Sequence, residues 1–497
     1  MAWGFYGRRR ELEQLQAILG RGRWFFCKIT GRRRIGKTTL IQEALKASGR
    51  REVIYIQIPD SGPAGILSAV ADAMEVFGID RGRFPNPTKL QDFARLVAAM
   101  VRAGYVVALD EFQYFHRKHI QEFCSYLQAE VDTLARDAAR VPGGLVVLGF
   151  LHTEMAAILE DRDAPLYNRV TDAIEVSHLD IASVCEILQA HSRLEPERLL
   201  FFWALFEGVP KFYRDCFEQG VLAAPRDEVL RKMFFDSSSP LRTEADNWFL
   251  HEFRGRYDVV LKFVARNPGC DHARITEHVT TTSGDDGGQV GGYLKILIER
   301  YRVIEKRLPI FAKAKTPKGR YYLSDNFLRT WLAALAGPVA AINFRPVPEL
   351  VAEADRRLAD TEGHSLEDLV AELYEERSRK GLPGFPLSGR VEGYWNSRDT
   401  EIDLVALDEP GQRIRFGFCK RSADRLLPDV SAAEGHVERF LQTHRKYGAW
   451  RRECVCIAPK IAGDIRVSLG AAGWLAEDLA DMVRGLLPAP AGPGLFP

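Results

Sequence analysis

"GRRRIGKTT", Gly31 to Thr39, decides how the first third of this chain is read. Gly31, four residues, then Gly36, Lys37 and Thr38 is the spacing of a P-loop. Such a loop needs a strand before it and a helix after it, and the flanking residues supply both. "WFFCKIT" (24–30) is a short apolar run of the kind found in buried parallel strands. "TTLIQEALKAS" (38–48) is amphipathic at helical spacing. The glycines let backbone N–H groups curl around phosphate at the start of a helix. Gly31, Arg34, Gly36, Lys37, Thr38 and Thr39 are therefore the candidate nucleotide-binding residues. Lys37 is placed to reach the β- and γ-phosphates of ATP, and Thr38 to offer its hydroxyl to Mg²⁺. A chance turn before a helix does not account for strand, spacing and helix together.

"YVVALDEFQYF" (105–115) supplies the expected partner. An apolar run leads to Asp110 and Glu111 at a strand end. Asp110 is expected to hold Mg²⁺ through water, and Glu111 to polarise the attacking water. Two solvated carboxylates would look the same in isolation; the P-loop upstream favours the paired reading. "GLVVLG" (144–149) is the next strand, and a sensor is expected just beyond it, at Phe150 to Thr153. His152 there reads more readily as a solvated loop histidine. Arg169, in "PLYNRV" (165–170), has two even readings: contact with the γ-phosphate, in its own chain or a neighbour's, or a surface salt bridge.

With "VIYIQI" (53–58) and helices such as "PTKLQDFARLVAAMV" (87–101), residues 1–180 form an α/β pattern with a parallel sheet. The strands stop over 181–245, where "IASVCEILQAH", "PERLLFFWALFEG" and "PKFYRDCFEQGVL" read as helices of a lid. Residues 246–340 give three helical stretches and a strand-like "RYYLSD", the order of a winged helix. "PVAAINFRPVP" (338–348) reads as a linker. Residues 341–497 are a second α/β unit, ending in a loosely attached tail "LPAPAGPGLFP".

A chain of 497 residues exceeds one hydrophobic core. The net charge of +1 rules out a global basic field, so any nucleic-acid surface is a local patch. Eight scattered cysteines form no disulfide framework or metal pattern, which fits a reducing cytoplasm. The N-terminus is charged too early for a signal peptide. No apolar run is long enough for a bilayer, so no membrane partner is expected.

Within 341–497, "EIDLVAL" (401–407) and "RIRFGFC" (413–419) read as adjacent strands. Asp403 at one strand end, Glu401 on the same face, Lys420 after the next strand and Glu367 on a helix at about 365–380 are what a metal-dependent nuclease uses. The carboxylate expected two residues before the lysine is Phe418, which cannot bind metal. Three readings stand: a nuclease-like site that has lost cleavage, a site whose ligand has moved to Glu401, and an unrelated hairpin. Arg413, Arg415, Arg421 and Arg425 leave either a phosphate-binding basic surface or a solvated face. Lys295, Arg300 and Arg302, with Lys313, Lys315, Lys318 and Arg320 on the wing, suit DNA phosphates or packing between domains.

These pieces, in this order, resemble the archaeal-type P-loop ATPases of the AAA+/STAND group, which also occur in bacteria. "FYGRRREL" (5–12) resembles the motif before the first strand, with Arg9 where a Glu is usual. "GRRRIGKT" and "LDEFQ" resemble its Walker motifs. "LVVLG" and "PLYNRV" resemble its sensor strand and arginine segment, with Gly149-Phe150 for Gly-Ser and Asn168 for Gly. "FEGVPKFY" resembles its G-x-P motif, Gly208 and Pro210. "YYLSDNFLRTWL" (321–332) resembles the segment closing its winged helix. The resemblance implies an ATP-binding switch with a lid, with Gly208 and Pro210 near adenine. It also implies a winged helix and a C-terminal domain similar to restriction-endonuclease-like, PD-(D/E)XK enzymes. DNA, a protein partner or further copies of the chain are the expected partners. Genome defence or mobile-element biology is the expected setting.

Overall fold

The computed structural model describes residues 2–150, 152–244, 255–283, 287–313, 316, 318–396 and 400–487, with His152 and Ser283 described by backbone alone. Lys315, the tail beyond Leu487 and part of the glycine-rich stretch before "VGGYLK" lie outside these residues. The chain divides into two compact units. One comprises Gly7–His178 with Val209–Lys211; the other comprises Met1–Tyr6, Leu179–Gly208 and Phe212–Pro497. No described helix is long and apolar enough to cross a membrane.

In the first unit, strands β1 (Phe26–Gly31), β2 (Val53–Gln57), β3 (Val106–Asp110), β4 (Gly144–Gly149) and β5 (Asp172–Val176) form one sheet in the order β2-β3-β4-β1-β5. Every pairing in it is parallel. All five residues of β3 and all six of β4 are buried, as a strand with both faces covered requires. Helices α1 (Arg9–Leu19), α2 (Lys37–Ala47), α3 (Pro63–Val76), α4 (Leu90–Arg102), α5 (Glu122–Arg136) and α6 (His152–Leu159) accompany the sheet. The core joins Ile54 and Ile56 of β2 and Val107 and Leu109 of β3 to Phe93, Val97 and Phe123 from helices. The sequence reading found four of these strands. It passed over β5, a short edge strand that carries Asp172 and an exposed Glu175.

The second unit begins with α7 (Ile181–His191) and α8 (Pro196–Phe206). Asp180 caps α7 by accepting from the Ser183 amide at 3.0 Å. Then come α9 (Pro210–Glu218), whose first residues belong to the other unit, and α10 (Arg226–Leu230). Helices α11 (Arg256–Arg266), α12 (His272–Ser283) and α13 (Val290–Lys295) precede an antiparallel hairpin, β6 (Ile304–Arg307) with β7 (Arg320–Leu323). Short helices α14 (Asn326–Thr330) and α15 (Ala336–Ala340) lead to α16 (Val347–Arg379).

The stretch read as a linker is helical at both ends, with a turn over 341–346 between them. Residues 338–340 close α15, and Val347 opens α16, which runs for 33 residues instead of starting near 365. Pro346 and Pro348 sit where an initiating turn accepts proline. Arg345, Glu349, Glu353 and Arg357 form a ladder of ion pairs over the first turns.

The C-terminal sheet has the order β12-β11-β10-β9-β8: β8 (Glu392–Trp395), β9 (Glu401–Asp408), β10 (Arg413–Cys419), β11 (Arg451–Ala458) and β12 (Leu475–Asp478). It is mixed. β8, β9 and β10 pair antiparallel, while β10, β11 and β12 pair parallel. Helices α17 (Leu426–Thr443), α18 (Gly463–Ala471) and α19 (Leu479–Val483) complete it. Its core gathers Val405, Ile414, Phe416, Val437 and Phe440, together with Ile310 from the β6–β7 connection.

Candidate functional site

The phosphate loop leaves β1 at Gly31 and enters α2 at Lys37. Both glycines are required where they stand. A side chain on Gly31 would place its Cβ 2.3 Å from the Val176 carbonyl oxygen, and Gly36 has φ 92°. Arg34 also adopts a left-handed conformation, φ 66°. Arg8, from "FYGRRREL", donates to the Ile35 carbonyl at 3.0 Å, so the loop is held from outside. Pro210 of the G-x-P motif lies against it, with Cγ 3.5 Å from where a Cβ on Gly36 would stand. Gly208 belongs to the other unit, where its carbonyl accepts from the Leu179 amide at 2.8 Å.

Lys37 is buried. Its ammonium donates to the carbonyls of Gly31 (3.0 Å) and Arg32 (2.9 Å), which keeps it over the loop. Burial pushes its pKa down to about 8, against the opposing pull of Asp110 and Glu111. Thr38 donates its hydroxyl to Asp110 Oδ2 at 2.6 Å. Two hard oxygens thus meet beside the loop, which is the donor chemistry Mg²⁺ takes. The other Asp110 oxygen accepts from the Glu111 amide at 2.8 Å. Glu111 follows with φ 58° and accepts from the Gln113 amide group. Burial raises its pKa; the Gln113 bond and the charges of Lys37 and Arg33 counter this in part. Thr39 is exposed on the first turn of α2.

Residues 25–141 match the family model of the AAA domain. An uncharacterised protein of Methanocaldococcus jannaschii is 25% identical over 416 residues, 83% of this chain and 86% of its own length. Among solved structures, a Walker-type ATPase of Pyrococcus abyssi is similar in fold at 16% identity, with a TM-score of 0.51 over 66% of this chain and 96% of that one. The ORC2 protein of Aeropyrum pernix, solved as ADPNP–ADP complexes, gives 15% identity and a TM-score of 0.46 over 72% and 97%.

The stretch that matches the family model thus gathers Lys37, Thr38, Asp110 and Glu111. Arg169 is held elsewhere in the first unit. Its guanidinium forms a two-pronged pair with Asp132, at 2.7 and 3.0 Å, and donates to the Tyr167 carbonyl at 2.9 Å. The salt-bridge reading is the arrangement formed. Two further residues, Tyr55 and Arg33, are not singled out by the sequence, and Phe150 of the expected sensor stretch takes a different part. Tyr55 donates to Asp110 Oδ2 at 2.6 Å. Arg33 and Lys37 both approach the Phe150 ring, at 5.1 and 6.0 Å from its centroid. Tyr55 had one visible signal, a hydroxyl inside an otherwise apolar strand.

In the C-terminal sheet, Asp403, Glu401 and Glu367 line one chamber of about 770 Å³, and Lys420 and Phe418 border an adjoining cleft with Asp403. The sequence reading therefore named neighbours. Each of them is held by a contact within the protein. Phe418 is buried and packs edge-on against Trp474, at 5.5 Å between ring centres. Asp403 accepts from the Cys419 amide at 2.8 Å, and its carboxyl is pushed up to about 8 by burial and then by Glu367. Glu401 pairs with Arg320 at 2.6 Å, and Lys420 with Asp429 at 3.0 Å. Among the described residues, no three His, Cys, Asp or Glu side chains are disposed to share a metal ion.

Three of the arginines expected to form a basic surface around Lys420 are engaged in ion pairs, while Arg425 is exposed. Arg413 and Arg415 pair with Glu453, and Arg421 with Glu362 and Glu197. On the β6–β7 hairpin, the Lys318 carbonyl accepts from the Trp395 indole at 2.9 Å and Ile310 donates to the Gly393 carbonyl at 2.9 Å. The hairpin is therefore seated on the C-terminal sheet, with Arg320 engaged in that contact.

Proposed function

We propose that the chain is an ATP-binding and ATP-hydrolysing switch of the AAA+/STAND type. The observation that carries this reading is the Thr38–Asp110 bond beside Lys37 on a P-loop, with Glu111 next to it. Lys37 and the loop amides bind the phosphates. Thr38 and Asp110 would hold Mg²⁺, which supplies charge neutralisation when bound. Glu111 orients water toward the γ-phosphate. Pro210 borders the adenine side, and Arg169 takes no part from within the same chain unless it leaves Asp132.

The reading assigns 1–180 to the ATPase core, 181–245 to the lid, 246–340 to the winged helix and 341–497 to a nuclease-like domain without cleavage. Supporting the last two are the order of α11–α13 and the β6–β7 hairpin, and two adjoining cavities that share Glu401 and Asp403, one lined by Glu367 and the other by Lys420 and Phe418. In this proposal the C-terminal half binds DNA or a protein partner, and ATP governs what it presents.

Equilibrium ATP binding and phosphate release in the full chain test the site. Lys37→Ala should abolish binding, whereas Glu111→Gln should keep binding and stop release. Normal turnover in both variants would end the assignment. A cleavage assay with Mg²⁺ or Mn²⁺ tests the C-terminal domain; cutting that disappears in Asp403→Ala would make it an ATP-regulated endonuclease instead.

A further inference from the structure

The end of β4 presents a hydrocarbon ring where the resembling family places a polar sensor. Phe150 neither donates nor accepts a hydrogen bond. Gly149 before it has no room for a side chain, since a Cβ there would stand 2.4 Å from Met155 Sδ. The ring instead gathers cations. The Arg33 guanidinium lies 5.1 Å from its centroid and the Lys37 ammonium 6.0 Å, both within cation–π range. The sheet register explains the meeting. β1 pairs with β4 so that Thr30 lies opposite Gly149, and the phosphate loop and Phe150 leave the sheet at the same edge.

The three loop arginines differ. Arg32 bonds to His178 at 2.9 Å, and Arg34 occupies a left-handed turn. Arg33 is exposed, and the contact described for its guanidinium is the Phe150 ring. Its charge is felt by Lys37 and Glu111, and also by Tyr114. The guanidinium and the Lys37 ammonium therefore share one aromatic face beside the phosphate loop.

We propose that Arg33, stacked on Phe150, is a catalytic cation supplied by the phosphate loop itself, and that its guanidinium contacts the γ-phosphate oxygens in place of a polar sensor. This rests on the reading that ATP is hydrolysed here. In that reaction the water oxygen bonds to the γ-phosphorus and the bond to the β–γ bridging oxygen breaks. ADP leaves with the electron pair, and the water's proton is released. Negative charge on the γ-phosphate oxygens is met by a planar fork that engages two of them at once. Phe150 is a positioning residue, acting through the stack.

The test uses the full chain with ADP, ADP with aluminium fluoride as a mimic of the transferring phosphoryl group, and ATP turnover. Arg33→Ala should leave ADP affinity within about threefold, weaken the aluminium fluoride complex at least about tenfold, and lower kcat with little change in KM. Arg33→Lys should recover only part, because an ammonium lacks the fork. Phe150→Leu should act in the same direction, and combining it with Arg33→Ala should cost nothing further. Wild-type affinity of Arg33→Ala for the aluminium fluoride complex would overturn the proposal. A Phe150→Leu loss that adds in full to Arg33→Ala would overturn the stack's part in it. Nucleotide binding that survives in Lys37→Ala would overturn the site reading and this proposal with it. An inert Arg33→Ala beside a non-binding Lys37→Ala would overturn this proposal alone.

Discussion

Tyr55 donates its phenol to Asp110 Oδ2 at 2.6 Å, the same oxygen that accepts from Thr38. Burial, followed by the Asp110 charge, raises the phenol's pKa, so it stays a donor at neutral pH. The carboxylate is thereby fixed from β2 as well as from the loop. Tyr55→Phe removes one hydrogen bond to a charged group, an interaction of about 1.5–3 kcal/mol. The expected result is a lower melting temperature, and a several-fold rise in the Mg²⁺ needed for half-maximal ATP binding. A melting scan and a Mg²⁺ titration check both. A variant unchanged in each would show that Asp110 does not depend on Tyr55.

The difference between Lys37 and Tyr55 shows what sequence exposes and what it hides. Lys37, Thr38 and their glycines are fixed by a local turn, so spacing alone reveals them. Asp110 and Glu111 are legible because a strand end after an apolar run is also local. Tyr55 reaches Asp110 only through the register that sets Gln57 opposite Asp110. Arg33 meets Phe150 only because β1 lies beside β4, which no periodicity encodes. Strands β5, β8 and β12 were missed because each is a short edge strand with little apolar signal, and β6 was taken into the helical stretch before it. Helix α16 was half missed because its first turns are held by surface ion pairs behind prolines that look like a linker. At Asp403 the grouping was legible, whereas its burial, which raises the carboxyl's pKa, was not.

Arg329, within "SDNFLRTW", ties that segment to α16. It is 1% exposed, and donates to Asn326 Oδ1 at 2.7 Å and Ser365 Oγ at 2.8 Å. Asp368 lies 3.5 Å away. Burial raises the Asp368 pKa, but His364, Arg307 and Arg329 outweigh it and hold the carboxyl well below its ordinary range. Removing one partner of a buried charge costs about 3–5 kcal/mol. Arg329→Met should therefore lower one melting transition of the chain sharply, and Arg329→Lys should restore little of it. Calorimetry on the full chain resolves this, because a chain of two compact units need not melt in one step. A Met variant that melts like the parent would show that the network is not a stabilising tie.

Asp403 gives a stability effect of opposite sign. Burial and Glu367 push its carboxyl up to about 8, and the Cys419 amide and Lys420 only partly oppose them. An unfolded aspartate titrates near 3.9. Between those values the folded chain binds more protons than the unfolded one, so this group's contribution falls as pH rises from about 4 to about 8. Asp403→Asn keeps an acceptor for the Cys419 amide and cannot ionise. The variant should match the parent near pH 4.5 and exceed it near pH 8 by at least about 1 kcal/mol. Denaturation at a series of pH values between 4.5 and 8.5 measures the difference. If the variant is instead the less stable protein at pH 8, Asp403 is ionised in the folded chain. That is the state a metal-binding carboxylate needs, and the cleaving reading would then outrank the binding one.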